Sequence, residues 1–183
     1  MRIPPTILAG FVLLLAAGSA IGQGRPDIDN LLSQLRVAPD EQAAVLLERR
    51  IRDAWMKSGS PSAVVMLQRG MRELAAKDFD RALDAFDSAL VLEPDWTEGY
   101  HRRAVARFEA GKYDLALADI QAALAREPRH FMVLQSLSRI AEARKDWTGA
   151  LAAFKRCLDV DPKMPGGAER LAMLQNKVSG EAL

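Results

Sequence analysis

Histidine and cysteine are nearly absent from this chain: His101 and His130 are its two histidines and Cys157 its one cysteine, in 183 residues. Much acid–base, nucleophilic and metal chemistry draws on those two residue types. The two histidines are far apart in sequence and show no metal-ligand spacing, and no glycine-rich phosphate loop or Ser-His-Asp pattern occurs. The chain is therefore expected to be no enzyme and to hold no metal and no cofactor. A single thiol also excludes an internal disulfide. No alternating strand pattern appears anywhere, which leaves an all-α fold.

A bias of charge is missing too. Lys and Arg number 25 against 24 Asp and Glu, a net charge of +1, so nothing electrostatic draws the chain to nucleic acid or an anionic membrane. Long apolar runs are missing except at the start. Arg2 is the only charge before Arg25, Ile7 to Ala17 is apolar apart from Gly10, and Gly18, Ser19, Ala20 and Gly22 are small. That order reads as a secretory signal peptide over residues 1–22, cleaved after about Gly22. The alternative is an uncleaved anchor. The uncharged stretch Ile3 to Gly24 is barely long enough to span a bilayer, and Pro4 and Pro5 weaken it. In both cases the body of the protein is expected outside the cytoplasm, and after removal of the signal no stable membrane span remains.

What the chain does have is a period. Pro94, Pro128 and Pro162 stand 34 apart. Phe79, Tyr113 and Trp147 form a column at that spacing, as do Ala82, Ala116 and Ala150, and Leu83, Leu117 and Leu151. Further columns are Phe86, Ile120 and Phe154; Ala89, Ala123 and Cys157; and Leu90, Leu124 and Leu158. A period of this length is the mark of stacked helical hairpins. One hairpin cannot bury its apolar face alone, but neighbours stacked in register can. Cys157 falls in a column of alanines, so it reads as a small core residue.

The hairpins are expected at 61–94, 95–128 and 129–162, together 61–162. Each ends in an acidic residue and proline: Glu93-Pro94, Glu127-Pro128 and Asp161-Pro162. Proline disfavours helical geometry in the residue before it and cannot donate to a helix, so each pair redirects the chain. Before the repeats, residues 23–60 read as a divergent helical hairpin. Ile28, Leu31, Leu32 and Leu35 share one helical face, and Ala44, Leu47, Ile51 and Trp55 another. That hairpin is expected to cap the N-terminal end of the stack. Residues 163–183 read as a capping helix and tail.

These columns resemble the tetratricopeptide repeat family. Gly70, Ala104 and Ser138 take the family's small position in the first helix of each unit, and the Ala-x3-Phe or Ala-x3-Ile elements at 82, 116 and 150 supply the second. The layout is similar to small exported bacterial members, which implies a periplasmic location. The resemblance implies a right-handed superhelical stack that binds a protein or peptide in its concave groove, without catalysis. Carried across by register, that groove presents Leu67 and Met71, then His101, Val105 and Phe108, then Gln135, Arg139 and Glu142; the alternative for Leu67 and Met71 is that they pack under the N-terminal cap and are unavailable. The paired asparagines of the family's chaperone-tail clamp are missing from it, so that specificity is not expected. The alternative role is a homodimer closed through a terminal helix, with Leu171 and Met173 at its face.

At two positions the chain departs from the family pattern. Where the pattern has apolar residues it carries Arg69 and Glu73 in the first repeat and Arg103 and Arg107 in the second. Arg and Glu are rarely buried unpaired. The expected outcome is a partly buried ion network of these four between repeats one and two.

Overall fold

The computed structural model describes residues 25–181. The signal-peptide reading falls on 1–22, outside the described residues. Nine helices and no strand occur among those described. They are α1 (Arg25–Arg36), α2 (Glu41–Lys57), α3 (Pro61–Ala75), α4 (Phe79–Leu92), α5 (Thr97–Glu109), α6 (Tyr113–Arg126), α7 (Phe131–Ala143), α8 (Trp147–Val160) and α9 (Gly167–Glu181). Helices α3–α4, α5–α6 and α7–α8 are the three hairpins, and α9 packs on α8.

Local chemistry sets the element ends. Asp40, Ser60, Asp78 and Asp146 accept backbone N–H bonds at the starts of α2, α3, α4 and α8, satisfying donors a helix leaves unpaired. Glu93, Glu127 and Asp161 end the second helices in extended conformation ahead of their prolines. Inside each hairpin the turn passes through a left-handed residue at one register: Lys77 (φ 61°), Gly111 (φ 73°) and Lys145 (φ 61°). Their neighbours close the helix ends, as Asp146 N–H donates to the Ala141 carbonyl (2.9 Å).

The period is visible in the packing. Ala82, Ala116 and Ala150 are completely buried, as are Phe86 and Ile120, with Phe154 at 1% exposure. Phe79, Tyr113 and Trp147 each open the second helix of their hairpin. The small column lies where the two helices of a unit approach most closely. A Cβ added to Gly70 would stand 2.6 Å from the Phe86 ring. Gly70→Ala is therefore expected to destabilise by about 1–3 kcal/mol, read as a lowered midpoint in urea unfolding followed by circular dichroism. Cys157 is buried, its thiol donating to the Phe131 carbonyl (3.3 Å), and burial pushes its pKa up to about 12.

The N-terminal hairpin does not extend the stack ahead of α3, as the sequence reading expected of a cap. Helix α1 packs on α2 and on α8, and α2 packs on α5. Together they lie as a strap along the row of corners that join one repeat to the next. At the first corner Trp96 Nε1 donates to the Trp55 carbonyl (3.1 Å) and to Ser58 Oγ (3.1 Å). At the second, the Trp55 ring stacks on His130 (centroids 3.7 Å, planes 11° apart) and tilts against Phe131 (5.4 Å). Arg129 there pairs with Asp29 of α1. At the third, the Glu48 carboxyl faces Asp161. The reason is a second column that the period carries: Trp96, His130 and Met164 stand 34 apart and all are buried. Each corner offers one large side chain, and the apolar faces of α1 and α2 cover them.

Candidate functional site

The first helices of the hairpins share a face, and the strap divides it. Of the residues expected to line a groove there, Leu67 is completely buried and His101 is 4% exposed. Leu67 lies in a cluster with Trp96, and Met56 of α2 and Met71 pack against it. The first part of the expected groove is closed by the strap, which is the alternative given for Leu67 and Met71 and corrects the register reading for His101.

The remaining part is open. Val105 and Phe108 of α5 and Gln135 and Glu142 of α7 are half-buried, and Arg139 is exposed. Val105, Phe108, Ser136, Arg139 and Ile140 line a shallow crease of about 10 Å³ between α5 and α7. It meets a second hollow of about 220 Å³ between α7 and the corner before α9, lined by Gln135, Arg139, Phe154, Met164 and Arg170 among others. Arg139 is common to both. Its guanidinium lies over the Phe108 ring (5.4 Å) and 3.8 Å from Glu109, with more than half its side chain in solvent. Glu142 is already engaged by Arg170, which also donates to Ser138 Oγ (3.2 Å). The open surface therefore pairs an apolar floor with one loosely committed arginine.

The expected ion network forms with different members. Arg103 donates through Nε (3.0 Å) and Nη2 (2.7 Å) to Asp119, and Arg107 Nη1 donates to the same carboxylate (2.7 Å). Arg103 Nη1 also reaches Asp87 on the preceding hairpin (2.7 Å). Neither Arg69 nor Glu73 takes part: Arg69 is exposed, and no described ion pair includes Glu73. Arg69 sits at the register of Arg103, but its hairpin has Ala85 where the next has Asp119, and no preceding repeat supplies a counterpart of Asp87. The missed residue is Asp119. Its signal was an acid in a column otherwise alanine, with Ala85 and Ala153.

A second constellation was missed altogether. His101 and His130, separated in sequence, come together with Glu98 beneath Trp55. Glu98 Oε2 lies 3.2 Å from His130 Nε2 and 3.6 Å from His101 Nδ1. Glu98 is 1% exposed and His130 completely buried. Burial opposes the charge on Glu98, but the two imidazoles and Arg102 outweigh it and hold its carboxyl well below the usual range. Burial pushes His130 down to about 4, against the pull of Glu98. Arg102 Nε donates to Glu98 Oε1 (2.6 Å).

Three stacked hairpins with alanine seams and acid-proline corners define a helical-repeat solenoid. Comparison with known proteins agrees. The family model for the tetratricopeptide repeat matches residues 101–165. A TPR repeat-containing protein of Rhizobium etli is 31% identical over 176 residues, covering 96% of this chain and 86% of that protein. The chain belongs to the tetratricopeptide repeat family. The Small glutamine-rich tetratricopeptide repeat-containing protein 2 of Saccharomyces cerevisiae is 26% identical over 140 residues, which is 76% of this chain but 40% of that protein. Among solved structures, the fold is similar to the Sgt2 TPR domain from Aspergillus fumigatus, with a TM-score of 0.63, 20% identity, and 68% and 83% of the two chains covered. It is also similar to the first TPR of Spaghetti (RPAP3) bound to the HSP90 peptide SRMEEVD, with a TM-score of 0.61, 19% identity, and 66% and 95% covered.

Proposed function

We propose that this protein is a non-catalytic interaction module that holds a peptide or helix against the open trough between α5, α7 and α9. The observation that carries this reading is the trough itself: Val105 and Phe108 give it an apolar side, and Arg139 stands over it with only a solvent-exposed partner at 3.8 Å. An amphipathic segment with a carboxylate fits that pattern, since a guanidinium takes a carboxylate in two parallel hydrogen bonds. The rigid stack means that ordering entropy falls mainly on the partner. The peptide-bound Spaghetti domain supports the class of role.

The site of action belongs to the same proposal. The charge at Arg2, the apolar run Ile7 to Ala17 and the small residues after it support export, with the repeats working in the bacterial periplasm to assemble or hold envelope proteins. Among the described residues no helix is long and apolar enough to cross a membrane.

A photo-crosslinking residue at position 105 or 139, in intact cells, tests the groove. The expected result is one dominant captured protein, with yield reduced at least about tenfold by Arg139→Glu in the position-105 probe and unchanged by Asp84→Lys on the far side. Capture of nothing from either position removes the groove reading. A second reading rests on α9, where Met173 is 39% exposed beside half-buried Leu171. Light scattering after size-exclusion chromatography decides it: a dimer that dissociates on Met173→Glu transfers the role to self-association.

A further inference from the structure

The geometry points to a transition-metal site of the Zn²⁺ class formed by Glu98, His101 and His130. The three donor atoms, Glu98 Oε2, His101 Nδ1 and His130 Nε2, lie within 4.8 Å of one another. All three are buried, and none has a hydrogen-bond partner. That is informative for the closest pair. At 3.2 Å, Glu98 Oε2 and His130 Nε2 are near enough for a hydrogen bond but are not aligned for one. Buried polar atoms are normally paired, and these three instead face one another at close range.

A metal ion satisfies all three together. Two bonds of about 2.0–2.1 Å at a tetrahedral angle separate their donors by about 3.4 Å, and the observed separations from Glu98 are 3.2 and 3.6 Å. Two imidazoles and a carboxylate suit Zn²⁺ and its neighbours rather than Ca²⁺ or Mg²⁺, which prefer oxygen. Glu98 and His101 stand three apart on α5 and so share a face. His130 comes from the corner before α7 and is fixed by its stack on Trp55.

The surrounding groups support ligation on two sides and constrain it on the third. His101 Nε2 meets Ser136 Oγ (3.1 Å), and Glu98 Oε1 accepts from Arg102 (2.6 Å). Such outer contacts fix the orientation of ligating side chains. His130 Nδ1 accepts from Val133 N–H at 3.4 Å. Ligation through Nε2 moves the remaining ring proton to Nδ1, so this long contact must open when the metal enters. Binding thus exchanges the side-chain cap of α7 for bonds that tie α5 to the corner before α7.

The test uses the full chain, purified without a histidine tag, stripped with EDTA and dialysed. Calorimetric titration with ZnCl₂ is expected to show one equivalent bound with a dissociation constant below roughly 10 µM. Glu98→Gln and His101→Asn should each weaken it at least about tenfold, while Asp84→Asn, exposed and outside the cluster, leaves it unchanged. Binding weaker than that threshold in the wild type overturns the assignment. So does undiminished binding in a folded His101→Asn protein. Should both variants fail to fold, the wild type loaded with Co²⁺ decides: visible absorption of a four- or five-coordinate site supports the proposal, and its absence overturns it.

Discussion

Replacing Asp119 with alanine is expected to cost the fold about 3–5 kcal/mol, the range for breaking a buried ion pair by removing one partner. Asp119 is 3% exposed and accepts three charge-assisted bonds from Arg103 and Arg107. The two arginines are themselves less than a fifth exposed. Without the carboxylate they face each other at one side of a low-dielectric seam, and only Arg103 keeps another acid, the exposed Asp87. Against a typical total of about 5–15 kcal/mol, the loss is large enough to uncouple the second repeat from its neighbours. Urea unfolding of the variant beside wild type measures it, with Arg69→Ala as the comparison. Arg69 has the same register as Arg103 but is exposed, so its removal should change stability by less than about 0.5 kcal/mol. A loss below about 1 kcal/mol for Asp119→Ala would mean the network behaves as surface ion pairs do. Replacing all three charged residues together by apolar ones of similar size should recover most of the stability, because the cost lies in the unpaired charges.

That contrast explains what was legible in the sequence. Columns of like residues at one spacing could be read directly, because each unit repeats the same packing problem and solves it with the same side chain. Ala82, Ala116 and Ala150 need no structure to be placed. Columns with mixed chemistry were illegible for the opposite reason. Trp96, His130 and Met164 each fill a buried corner, yet nothing in their chemistry says so until the strap that covers them is seen. Asp119 hid in an alanine column, and Glu98 shares its register with Val64 and Met132.

The groove was half legible for the same reason. Register alone assigned His101 to an open surface and left Leu67 between that surface and the N-terminal cap, and register is correct for a stack with nothing lying across it. Here α1 and α2 reach the corners of all three repeats, so the first part of that surface is interior. The open part, from Val105 to Arg139, is the part the strap does not reach. Position within a repeat says which way a side chain faces. It cannot say what a segment outside the repeats will cover, because those contacts join residues far apart in sequence, such as Trp55 with His130 and Glu48 with Asp161.

The last of these contacts yields the other large effect, a stabilisation that depends on pH. Asp161 is completely buried at the end of α8. Burial first, and the neighbouring Glu48 carboxyl second, push its pKa from 3.8 up to about 7, against the weaker pull of the Lys163 N–H and Arg52. A carboxyl that titrates higher folded than unfolded contributes stability that is fully present below about pH 3.8 and is lost as pH rises through about 7. At pH 8 the folded protein therefore carries a buried, poorly compensated charge. Asp161→Asn keeps the shape, removes the charge and supplies an N–H donor toward Glu48, which Arg52 already holds on its other side (2.8 Å). The variant is expected to be more stable than wild type by about 2–4 kcal/mol at pH 8 and by less than about 1 kcal/mol at pH 4. Urea midpoints at the two pH values give the difference. Equal effects at both, or a loss at pH 8, would show that this carboxyl is not held neutral. Because Asp161 at the third corner faces Glu48 of α2, the same charge, set against that carboxyl, loosens the strap as the solution turns alkaline. The segment that closes the Leu67 end of the groove should then exchange its amide protons faster at pH 8 than the repeats do, after correction for intrinsic rates, and Asp161→Asn should slow it.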